Sequence, residues 1–111
     1  MAMVSGARVE YPATGPIRVV GEIDLASADA LSTELMMGLT GANGVFPLDL
    51  SEVSFMDSTG IRMLLGILRA KPGTRLDLSP VSPAVERVLT ISGFPIIDGV
   101  ISMGPLEEEG L

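Results

Sequence analysis

Leu48-Asp49-Leu50-Ser51-Glu52-Val53-Ser54-Phe55-Met56-Asp57-Ser58-Thr59-Gly60, continuing into Ile61-Arg62-Met63-Leu64-Leu65-Gly66-Ile67-Leu68-Arg69-Ala70, changes its hydrophobic period part-way along. Val45 to Leu50 reads as a buried strand and Ser51 to Met56 as its connection. Beyond Gly60, the residues Ile61, Leu64, Leu65 and Leu68 recur at the three-and-four spacing that marks one face of a helix. Asp57 or Ser58 supplies the N-cap, and Pro72-Gly73 stops the helix just past Ala70. Pro47 has no backbone donor, so it fits a sheet edge or the first residues of a strand.

The same alternation extends in both directions. Upstream, Arg8-Val9-Glu10 reads as an edge strand, Tyr11 to Pro16 as a turn, and Ile17 to Val20 as a strand running into a turn at Gly21-Glu22-Ile23-Asp24. Asp24 or Ser27 can cap a helix carrying Ala28, Leu31, Leu35, Met36 and Leu39, which ends around Gly38 to Gly41. Downstream, Thr74 to Leu78 is a strand, Val81 to Leu89 a helix, and Phe94 to Ile97 a last strand. Short buried strands alternating with amphipathic helices define an α/β domain with a small, mostly parallel sheet. Breakers then interrupt Ile101 to Pro105 and three glutamates follow, so 101–111 reads equally as a flexible acidic tail or as a final turn.

At 111 residues the chain suffices for one domain, expected to span 1–111. Seven Lys and Arg against 14 Asp and Glu leave a formal charge of -7, which argues against a nucleic acid or an acidic membrane as partner and for a basic protein surface. No Cys and no His are present, which removes disulfides, thiolate nucleophiles, imidazole bases and the usual zinc ligand sets. The amino-terminal segment lacks the pattern of a signal peptide, no segment has the apolar length of a membrane span, and a cytoplasmic location is the expectation.

Chemistry concentrates at Met56-Asp57-Ser58-Thr59-Gly60. A helix N-terminus there would direct orphan backbone donors toward the Ser58 and Thr59 hydroxyls and favour a phosphate. Equally, Asp57 and Ser58 read as caps, with Gly60 easing the turn. A nucleophilic serine needs a base, yet Lys71 is the only lysine and lies at the far end of the helix. The Ser58 hydroxyl is better suited to be the substrate of another protein's kinase. The glycines form neither a dinucleotide nor a P-loop pattern, so no cofactor is expected, and the carboxylates are too few for a metal site. Glu22 and Asp24 admit two readings, capping with solvation or partner contact. Met63 and Ile67 likewise form either a shallow apolar patch or part of the packing.

Gly21-Glu22-Ile23-Asp24, Leu48 to Gly60, Ser82-Pro83-Ala84-Val85-Glu86-Arg87-Val88-Leu89 and Ser92-Gly93-Phe94 together resemble a STAS domain of the bacterial anti-sigma factor antagonist class, up to about Val100. The resemblance implies that Ser58 is the phosphoacceptor, in a loop formed with Asp57, Thr59 and Gly60. It implies a binding surface of Glu22, Asp24, Met56, Met63 and Ile67 for an anti-sigma factor that is also an ATP-using serine kinase. Binding would release a sigma factor, phosphorylation would end binding, and a serine phosphatase would restore it. The family usually adds a final amphipathic helix, expected here to be shortened or absent, with a weak homodimer as one way to cover an exposed strip of sheet. A STAS scaffold or transporter-associated module without a phosphorylation switch is the alternative within the same fold.

Overall fold

The computed structural model describes residues 2–4, 6–38, 44–93 and 100–105. Its elements are β1 (Ala2–Val4), β2 (Ala7–Glu10), β3 (Ile17–Ile23), α1 (Leu25–Gly38), β4 (Val45–Met56), α2 (Ser58–Ala70), β5 (Arg75–Val81), α3 (Pro83–Ile91) and β6 (Val100–Pro105). The six strands form one sheet in sequence order, with β1, β2 and β3 antiparallel and β3 through β6 parallel. Each parallel crossover steps one strand in the same direction. Right-handed crossovers of that kind place α1, α2 and α3 on one face of the sheet. Leu31 and Leu35 of α1, Leu64 and Ile67 of α2, and Val85 and Leu89 of α3 accordingly join Val9, Val19, Leu48, Leu50, Leu76 and Leu78 in a single apolar core.

Several boundaries differ from those read in the sequence. β3 runs on to Ile23, and β4 includes Ser51 to Met56 instead of ending at Leu50. Two register shifts in the β3–β4 ladder, between Arg18 and Val20 and between Gly21 and Glu22, break the period-two pattern and made this half of the strand look like a connection. The Asp49 carboxylate accepts hydrogen bonds from the Ser51 amide at 2.8 Å and the Ser51 hydroxyl at 2.6 Å at the first irregularity. α3 begins at Pro83, because the Ser82 hydroxyl accepts from the Val85 amide at 3.2 Å and proline needs no donor in a first turn. Residues 101–105 belong to β6, paired with β5, which corrects the reading of a flexible tail or a final turn for those five positions. The strand expected at Phe94 to Ile97, the glutamates 107–109 and the segment after Pro105 lie outside the described residues. Pro47 is the third residue of β4, one before pairing with β3 begins at Leu48, in keeping with its place near the strand's start.

The face of the sheet away from the helices is polar. Arg18 donates to Asp49 at 3.1 Å and to Glu10 at 3.2 Å, and Arg8 donates to Glu10 at 3.1 Å. Burial pushes the Asp49 carboxyl up, but the bonds from Ser51 and the Arg18 guanidinium outweigh it and hold the group below the usual carboxylate range. Because the folded value is depressed, the stability Asp49 contributes is present above the unfolded value and is lost as pH falls through the folded one. Asp49→Asn is therefore expected to lower stability by about 1–3 kcal/mol at pH 7, with the gap to wild type narrowing below about pH 4. Urea unfolding at several pH values measures both quantities.

Candidate functional site

The site is built where β3 and β4 end and α1 and α2 begin. Ile23 and Met56 are register partners on adjacent parallel strands, and both are buried. The first turn of α2 presses onto this pair at Gly60. A Cβ added to Gly60 would lie 2.5 Å from the Met56 Cγ, 2.7 Å from its Sδ and 3.2 Å from the Ile23 Cγ2. Gly60 is thus needed for close packing rather than for easing the turn, which corrects the conformational reading of that residue.

Asp57 is the N-cap, with extended backbone, and its carboxylate accepts from the Thr59 amide at 2.9 Å and from the Thr59 hydroxyl. The Gly60 amide bonds back to the Asp57 carbonyl at 3.0 Å. The Thr59 hydroxyl holds the Asp57 carboxyl below its ordinary range, with the Thr59 amide and the positive charge of Arg62 acting in the same direction against a desolvation that opposes them. Asp57 and Thr59 are committed to each other. Ser58, between them, is the exposed first residue of α2.

A second capped junction lies beside the first. Asp24 receives the Ser27 amide on its carboxylate at 3.2 Å, while the Ser27 hydroxyl accepts from the Asp24 amide at 3.1 Å, a reciprocal N-terminal cap for α1. The fully buried Ser27 hydroxyl also donates to the Glu22 carbonyl at 3.0 Å. Asp24 therefore has a structural task, and Ser27 tethers the end of β3 to the helix. Gly21 is required outright, since its φ is +111° and a Cβ there would lie 2.4 Å from the Gly6 carbonyl oxygen.

Between α1 and α2 lies a cleft of about 240 Å³, lined by Leu25, Ala28, Asp29 and Ser32 on one side and Thr59, Arg62, Met63 and Gly66 on the other. The family resemblance puts Met56, Met63 and Ile67 on a binding surface. Met56 is buried, Ile67 is 0% exposed, and Met63 at 5% reaches only the wall of this cleft. No exposed Met63–Ile67 patch exists, because both side chains join the core that α2 shares with the strands, and α2 also meets α1 and α3. The apolar groups that do emerge at this end are Leu25, 79% exposed, and Phe55, 46% exposed, whose register partner is the exposed Glu22. Neither was singled out from the sequence. An apolar residue directly after an N-cap, as Leu25 is, and the break in alternation at Ser54-Phe55 were the available signals. Among the described residues, no group of three acidic side chains converges to hold a metal, and no helix is long and apolar enough to cross a membrane.

A sheet with three helices on one face and a capped serine loop where its parallel strands end has counterparts. Residues 8–100 match the family model described as Mlab, STAS domain. An anti-sigma-B factor antagonist of Bacillus subtilis (strain 168) is 34% identical over 85 residues, covering 74% of this chain and 77% of that protein. Two solved structures share the fold at 24% sequence identity. The crystal structure of an anti-sigma factor antagonist from Mycobacterium paratuberculosis superposes with a TM-score of 0.66, covering 85% of this chain and 82% of the other. The anti-sigma factor antagonist SpoIIAA in its unphosphorylated form gives 0.55, with 86% of each chain covered. The chain belongs to the STAS domain family and, within it, to the family of anti-sigma factor antagonists.

Gly60→Ala tests the packing of the loop. It is expected to cost about 1–3 kcal/mol, since Met56 must leave its place under the helix, and chemical denaturation reads that loss. Ser58→Ala, at an exposed position, is expected to stay within about 0.5 kcal/mol of wild type.

Proposed function

We propose that this protein is a non-catalytic anti-sigma factor antagonist, acting in the cytoplasm, that docks an anti-sigma factor with serine kinase activity and is switched off by phosphorylation at Ser58. The observation that carries the reading is the Ser58 side chain itself. It stands exposed at the first turn of a helix, while the flanking Asp57 and Thr59 are tied together by hydrogen bonds. Such a hydroxyl is accessible to a kinase, and the chain offers it no imidazole or nearby lysine as a base of its own. The relatives named antagonists of anti-sigma factors support the partner class.

Docking would use the end of the sheet that carries Glu22, Leu25, Phe55, Ser58 and the α1–α2 cleft. Two partly exposed apolar side chains within an acidic rim suit a partner with a basic, apolar-centred surface. Phosphorylation adds about -1.5 to -2 charges and three acceptor oxygens in the middle of that surface. The result is release by repulsion and desolvation, with the core unchanged. Nucleotide and magnesium belong to the kinase partner, and a serine phosphatase returns the antagonist to its binding form.

The test is to mix the protein with kinase-type anti-sigma factors and Mg-ATP, then to follow intact mass and binding, with Ser58→Ala as control. One phosphate mapped to Ser58, with loss of binding in wild type and retained binding in Ser58→Ala, is the expected result. Stable binding without phosphate would leave the alternative of a STAS scaffold or transporter-associated module in which Ser58 is inert. Undiminished affinity of a homogeneous Ser58 phosphoform would refute the switch.

A further inference from the structure

Arg62 is the cation that lines the α1–α2 cleft. It is exposed, lies four residues after Ser58 on the same helix, and makes no ion pair within 4 Å among the described residues. Residues four apart on a helix bring their Cβ atoms within about 6 Å, so the Arg62 guanidinium and an oxygen on Ser58 share one stripe of α2. From this placement we infer that Arg62 is the intramolecular counter-ion of phosphorylated Ser58, closing onto the phosphate across one turn of α2.

The inference deepens the proposed function and rests on Ser58 being the acceptor. It also assigns Arg62 a role in the switch. Before modification its charge is free to face a docking partner and acts weakly on Asp57, whose carboxylate is already taken by Thr59. After modification a phosphate with three acceptor oxygens is the stronger claimant, and arginine meets it with two parallel donors. Phosphorylation would then do two things to the docking surface at once, adding an anion and withdrawing a cation. The other charges on the elements that meet at this end of the sheet are Asp57 at the cap of α2, Asp29 on the α1 wall of the cleft, Glu22 near the end of β3 and Asp24 just after it. All four are acidic and oppose its second ionisation, so Arg62 is the side chain that favours it.

The experiment uses the whole protein with phosphoserine installed at position 58 during synthesis, without any kinase, in wild-type and Arg62→Gln backgrounds. Phosphorus NMR titration reads the second ionisation of the phosphate, and far-ultraviolet circular dichroism checks that the exposed substitution leaves the fold intact. The expected result at low salt is a value about 0.15–0.4 pH unit lower in wild type than in Arg62→Gln, closing by 1 M salt. Equal values in the two proteins would overturn the inference, since the helix N-terminus alone would then account for any shift. A difference unchanged at 1 M salt would overturn it as well, because an exposed ion pair is screened. Failure of every anti-sigma kinase to modify Ser58 would instead remove the proposed function and leave the titration result standing.

Discussion

The contact on which the rest of the site depends is the seating of Gly60 against Met56 and Ile23. These two side chains end adjacent parallel strands, and a methyl group on residue 60 would stand 2.5 Å from one and 3.2 Å from the other. Close approach at that point sets the height of α2 above the sheet. It also sets the direction of its first turn, where Asp57 and Thr59 lock to each other and Ser58 is directed outward. A side chain at the first helical position is fixed by the backbone that carries it, so rigidity here is inherited from the core instead of from contacts of Ser58 itself.

The two neighbouring junctions solve one problem in different ways. Each passes from a parallel strand through an aspartate cap into a helix, and each leaves orphan amides to satisfy. At α1 the hydroxyl that answers the cap, Ser27, is fully buried and reaches back to the Glu22 carbonyl, so the junction is closed to solvent chemistry. At α2 the answering hydroxyl belongs to Thr59, one residue past the serine, and Ser58 is left over. That difference explains why one serine reads as structural and the other as a candidate acceptor although both open helices at the same end of the sheet.

Much of this was legible in the residue pattern. The span of α2 follows from Asp57-Ser58 before the apolar stripe and Pro72-Gly73 after it, and the structure runs from Ser58 to Ala70. The second half of β4 was not legible, because Ser51, Glu52 and Ser54 break the alternation and only the register shifts against β3 explain how they stay in the ladder. β6 was hidden for a different reason: Val100 to Pro105 contains Gly104 and Pro105, and its strand character comes from pairing with the distant β5. For Met63 and Ile67 the spacing left an exposed patch and packing both open, and the structure shows packing. A single stripe predicts one buried face, whereas α2 also meets α1 and α3, and its buried arc widens to include Gly60, Ile61, Met63, Leu64 and Ile67.

The one-sided architecture bears on how a surface charge can act. Parallel sheets ordinarily bury both faces, yet all the described helices here lie on one, and the other is finished with the Arg8–Glu10–Arg18–Asp49 ladder. Hydrophobic burial is consequently concentrated in a single layer between helices and sheet, and the ends of the strands stay open. A charge added at Ser58 lies outside that layer and at an exposed position, where solvent screens its effect on stability. Against a docked partner that excludes water the same charge would be felt at much lower effective dielectric. The fold therefore separates the two energies: what holds the domain together is remote from Ser58, and what a partner would sense is concentrated around it.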